Sequence, residues 1–68
     1  MRIRIKELRV NANKNAEEMA RLLDCDYTTY KMYETQEIRI PISIANKLAK
    51  YHNVSLKYLM GFSNNPRG

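Results

Sequence analysis

The chain has few of the residues that brace small domains from within. It carries one cysteine, Cys25, in 68 residues, which excludes an internal disulfide and a cysteine-rich zinc site. The lone histidine, His52, has no second metal ligand at useful spacing, so no metal is expected. No apolar run approaches the roughly 18 residues of a membrane span. The opening MRIRIKELR has basic residues but no following apolar block, and so does not read as a signal peptide. There is no strand pattern and no repeat. Neither a Ser–His–acid set nor a pair of carboxylates stands out, and a small helical domain offers little room for a substrate cleft. An enzyme or a bound cofactor is not expected. Stability must come from helix packing, helped by self-association, and a reduced, cytoplasmic setting follows from the cysteine usage.

Acid is the next scarcity. Residues 1–37 hold seven basic and seven acidic residues, whereas 38–68 hold Arg39, Lys47, Lys50, Lys57 and Arg67 with no acid. The net charge of +5 therefore comes from the second half. A basic domain suits a polyanionic partner, nucleic acid first.

What is present is a succession of short amphipathic helices. Residues 2–11 read as the first, with Ile5, Leu8 and Ala12 at helical spacing and Glu7 able to pair with Arg4. Asn13 suits its left-handed end. Asn15 and Glu18 have capping-box spacing for a second helix, whose inward face is Met19, Ala20 and Leu23. Asp24 and Cys25 turn the chain into Asp26, which can cap a third helix, Tyr27 to Glu34. Tyr30 and Tyr33 form its anchor face; Tyr27, Thr28, Lys31 and Met32 fall on the remaining surface. After a loop, Pro41 suits the entry to a fourth helix, residues 42–52, with Ile44, Ala45, Leu48 and Ala49 inward. Asn53 ends it, Ser55 caps a fifth over Leu56 to Met60, and Gly61 stops that one. The domain is expected over residues 1–62, with 63–68 a flexible tail or linker start. Cys25 reads as a small apolar residue rather than a reactive thiol.

Two short helices joined by a three- to four-residue turn make a helix-turn-helix. The pieces IKELR, AEEMARLL and YTTYKMYE, with IPISIANKLAKYHNVSLKYLMG over Ile40 to Gly61, resemble the helix-turn-helix domain of phage repressors and Cro and their bacterial relatives. The likeness covers residues 3–66 and implies a compact, all-α, five-helix domain. It further implies sequence-specific binding of double-stranded DNA through the major groove, as a transcriptional repressor acting as a homodimer on a pseudo-palindromic operator. By this resemblance base edges are met by Tyr27, Thr28 and Met32 with Lys31 beside them. Phosphates are met by Asn15 and Ala16 at the start of the second helix, and by Thr35, Gln36 and Arg39 after the third. Arg9 and Glu34 would form an ion pair linking the first and third helices. A symmetric dimer contact is expected at Leu56, Met60 and Phe62, with Leu59 in the core.

The chain departs from the family pattern at four places. Ala16 stands where the family often has Gln, and Asp24 where it has the turn glycine. Thr35-Gln36 replaces Asn-Gly, and Lys14 replaces an apolar residue before the second-helix cap. Fold alone does not decide function. The rival reading is a protein-interaction module, such as an antitoxin or a regulator's partner.

Overall fold

The computed structural model describes residues 3–68. The described residues form five helices: α1 (Ile5–Asn11), α2 (Ala16–Leu22), α3 (Tyr27–Thr35), α4 (Ile42–His52) and α5 (Leu56–Leu59). The fold is all-α. Each helix places one large side chain entirely out of solvent: Ile5, Met19, Tyr30, Leu48 and Leu59. Around these five, Ala16, Ala20, Leu23, Tyr33, Ile40, Ala45 and Ala49 complete one contiguous core. No helix here exceeds 11 residues, so none would be stable in isolation, and packing around the shared core holds them.

The helix ends follow one device. In each helix the residue just past the last turn has positive φ: Asn13, Asp24, Gln36, Asn53 and Gly61. At each, that residue's N–H and the next one's return to carbonyls of the last turn, as in Gln36 N to Tyr33 O (3.3 Å) and Glu37 N to Met32 O (3.0 Å). This is the Schellman closure, which satisfies carbonyls that the helix leaves open. Asn13, Asp24, Asn53 and Gly61 suit the left-handed conformation by residue type; Gln36 does not.

The helix starts are less uniform. Asn15 and Glu18 form the full capping box, at 2.8 and 3.1 Å. The Ser55 hydroxyl accepts from the Tyr58 amide at 3.0 Å. Asp26 has the extended conformation of a cap, but its carboxylate makes no capping hydrogen bond and stays exposed. Only its carbonyl joins the helix, accepting from Tyr30 N at 2.9 Å. Pro41 is the cap residue of α4 rather than its first helical residue.

The expected start of α1 at residue 2 lies outside the described residues, as does residue 1 of the expected domain. Within them α1 begins at Ile5, because Arg4 is drawn elsewhere. Its amide donates to Leu59 O at 2.8 Å. Its guanidinium donates to Tyr58 O (2.6 Å), Ser63 O (3.0 Å) and Asn64 Oδ1 (3.2 Å). It also stacks 4.1 Å from the Tyr58 ring centre and pairs with Glu7 at 3.9 Å. Ala12 falls at the end of α1, exposed, and adds nothing to the inward face. Residues 63–68 turn back on the domain: besides their bonds to Arg4, Pro66 O accepts from Ser55 N at 2.6 Å.

Candidate nucleic-acid interface

The turn between α2 and α3 is four residues long, Leu23 to Asp26. Leu23 is buried, and Asp24 at φ 55° reverses the chain where a glycine would be easiest. Cys25 packs partly against the core, and burial first, then Asp26 and Asp24, push its thiol up, so it stays protonated. The turn presents α3 with its two faces separated. Tyr30 and Tyr33 are buried, while Tyr27 is half exposed and Thr28 exposed.

An ion pair fixes the far end of α3. Arg9 Nε donates to Glu34 Oε2 at 2.6 Å, and a second guanidinium nitrogen reaches Oε1 at 3.4 Å. The Glu34 side chain is 1% exposed and that of Arg9 12%. Arg9 also donates to Lys14 O at 3.0 Å, joining α1, the start of α2 and α3 through one side chain. Burial by itself would raise the Glu34 pKa. The hydrogen bonds and charge of Arg9, with Tyr30 and Lys31 adding, more than offset it and hold the carboxyl below its ordinary value. Conversely, Glu34 raises the Arg9 pKa. The Tyr30 hydroxyl is buried beside this pair without a hydrogen bond of good geometry. Burial, then the adjacent carboxylate, keep it protonated far above the usual phenol range.

The residues expected at DNA fall into two groups. Tyr27 and Lys31, and likewise Thr28 and Met32, are four apart on α3, so they form adjacent rows on its outer side. Lys31 and Met32 are each partly covered, and Lys31 Nζ lies 3.5 Å from Glu34 Oε1. The other group is more constrained. Asn15 is exposed, but its side-chain oxygen serves the capping box, leaving the amide nitrogen for another acceptor. The Ala16 side chain is in the core, so only its backbone N–H can face outward. The Thr35 hydroxyl donates to Glu37 Oε1 at 2.7 Å. Gln36 and Arg39 are exposed, and among the described residues Arg39 is in no ion pair. Exposed acids, Asp24 and Asp26 before α3 and Glu37 after it, flank both ends of the helix.

The dimer residues separate as well. Leu56 and Met60 pack partly against the core; Phe62 is 68% exposed. Leu59 is fully buried. Two residues outside the expected set, Ile38 and Ile42, stand exposed on either side of the buried Ile40. A spacing of two would set all three isoleucines of IRIPI on one side of an extended chain. The loop instead turns Ile40 inward and leaves Ile38 and Ile42 outside, which the sequence pattern does not show.

A helix-turn-helix family model matches residues 5–59, from the first residue of α1 to the last of α5. The chain belongs to the helix-turn-helix family. It is of the Cro/C1 type found in phage repressors and their relatives. Comparison with curated proteins and with solved structures gave no match. Membership of this helix-turn-helix family points to a DNA-binding transcription regulator. Among the described residues no helix is long and apolar enough to cross a membrane, and no group of His, Cys, Asp or Glu is arranged to hold a metal ion.

Proposed function

We propose that this domain binds double-stranded DNA with sequence preference, placing α3 in the major groove, and that it acts as a homodimeric repressor on a pseudo-palindromic operator. The observation that carries this reading is the first turn of α3. Tyr27 and Thr28 project outward there while Tyr30, Tyr33 and the Arg9–Glu34 pair anchor the rest of the helix. A helix so held can present its first turn to base edges without ordering cost at binding. Thr28 offers a hydroxyl for a base edge and a methyl for thymine; Tyr27 offers a ring and a hydroxyl. Arg39, Gln36, the Asn15 amide and the Ala16 N–H supply phosphate contacts.

One observation favours the rival reading of an interaction module: acids flank α3 and its one lysine leans on Glu34. Titration against selected and scrambled duplexes at several salt concentrations separates the two. Thr28→Ala should cost about 1–3 kcal/mol on the preferred site only. Arg39→Gln, measured on a single half-site, should weaken all sequences alike and reduce the salt slope by about 1. A wild-type chain without preference for any duplex over scrambled DNA would leave the interaction module as the function.

A further inference from the structure

The α3–α4 loop carries an apolar surface beside the phosphate-facing Gln36 and Arg39, and the DNA reading leaves its isoleucines unused. A hollow of about 640 Å³ is walled chiefly by Ile3, Ile38, Ile40, Pro41, Ile42 and Met60. Its rim is unusually apolar: Ile42 is 62% and Ile38 40% exposed. Phe62, 68% exposed, follows Met60 by two residues. Ile38 stands between an exposed acid, Glu37, and an exposed base, Arg39. Among the described residues the Glu37 carboxylate accepts from the Thr35 hydroxyl, and Arg39 has no ion-pair partner.

We infer that this surface receives a second copy of the chain across a twofold axis passing near Ile38. The inference rests on the homodimer reading above and names its surface. Charge pattern decides the occupant. An acid, an apolar residue and a base in a row are self-complementary under a twofold, which sets Glu37 of one copy against Arg39 of the other, twice. The exposed Phe62 of each copy has the size and polarity to seat on the other's hollow. Area points the same way. A stable interface takes about 800 Å² from each partner, roughly a sixth of this chain's 4621 Å² surface. A loop and a few isoleucines supply less. Such a patch suits a partner already held nearby, as two copies on one operator are, because the shared DNA raises their effective concentration. The five donors of the Arg39 guanidinium can meet a phosphate and the opposing Glu37 together. Leu56, unlike Met60, does not line the hollow and lies outside this contact.

The test is a charge exchange followed by sedimentation without DNA. Glu37→Arg alone sets Arg against Arg at both reciprocal contacts, and Arg39→Glu alone sets Glu against Glu. Each variant should be monomeric at concentrations where wild type self-associates. Mixed in equal amounts, the two variants place opposite charges at both contacts and should form a heterodimer. Ile42→Asp should abolish wild-type association, and circular dichroism checks that each variant is folded. If a variant does not fold, a short bis-maleimide on Ile38→Cys, in a Cys25→Ser background, reports the axis: rapid 38-to-38 crosslinking supports it. A mixture no more associated than its components overturns the proposal. So does wild type that stays monomeric to about 1 mM, or Ile38→Cys that crosslinks no faster than free thiol. No DNA enters these readouts, so their failure leaves the duplex titration standing, and a chain without duplex preference can still dimerise this way.

Discussion

Two arginines on or beside α1 hold the domain together, and they do so by different chemistry. Arg9 grips a carboxylate, Glu34, which is 1% exposed. Arg4 grips carbonyls of Tyr58 and Ser63 and the Asn64 side chain, with the Tyr58 ring beneath it. The first joins the elements around the α2–α3 unit; the second joins the chain's start to α5 and residues 63–64. An ion pair out of water is strong only while both charges remain, since either one alone is an uncompensated buried charge. A cation on carbonyl dipoles depends on no second titrating group. The Arg9 clasp is therefore sensitive to charge and pH, whereas the Arg4 clasp rests chiefly on carbonyls, with Glu7 a longer contact at 3.9 Å.

The largest effect should come from breaking the first clasp. Glu34→Ala leaves Arg9 facing an empty site and should cost about 3–5 kcal/mol. A domain of this length has roughly 3–10 kcal/mol in total, so urea midpoints should show the variant near the edge of folding. A loss below about 1 kcal/mol would mean that water reaches the pair. Next, Arg4→Met keeps packing over Tyr58 but removes the charged donors, and should cost about 1.5–3 kcal/mol. Hydrogen exchange would sharpen the contrast. The Ser55 amide, bonded to Pro66 O, should lose protection in Arg4→Met, and α3 amides should lose it in Glu34→Ala.

Acid should act on the Arg9 side. The folded pKa of Glu34 lies below its unfolded value, so its contribution is present above the ordinary carboxylate range and is lost as pH falls through the folded pKa. His52 adds an earlier step. Burial lowers its pKa, and its Nε2 is buried without a partner. As pH falls below about 6.5, the unfolded chain takes up a proton that the folded chain resists, so stability declines until the folded pKa is reached. Urea midpoints across pH should show both steps. His52→Gln should remove the upper one, and Glu34→Gln the lower. Arg4→Met should shift the whole curve without changing its shape.

The smallest expected effect concerns Gln36, the left-handed residue least suited to its place. Gln36→Gly should stabilise by about 0.5–1 kcal/mol, seen as a higher Tm, with Thr35 and Glu37 undisturbed. The same change at Asn53 should do less, since Asn tolerates that conformation better.

These clasps also divide what could be read in the sequence from what could not. The helices, the Asn15–Glu18 box, the Ser55 cap and the left-handed Asn13, Asp24 and Asn53 were legible because each depends on residues a few positions apart. Tyr30 and Tyr33 were legible from helical spacing. Arg9 opposite Glu34 came from the family resemblance. Arg4 left no comparable trace: its partners are mostly backbone carbonyls, which every residue has. Asp26 misled in the other direction, having the right type and place for a cap without making the bond. The hollow at Ile38 and Ile42 was hidden because Ile3, Pro41 and Met60 meet only after folding.

The Arg4 clasp has a topological consequence. Residue 4 touches residues 63 and 64, so the described chain is close to a ring with a gap at one point. Closing that gap with a covalent link would span about 60 residues, and the unfolded ring would have fewer conformations by roughly 4 kcal/mol at room temperature. The same adjacency lets the chain be reopened elsewhere. A permuted order that starts at α4 and runs through a short join into α1 would keep every helix contact, moving the break to the α3–α4 loop.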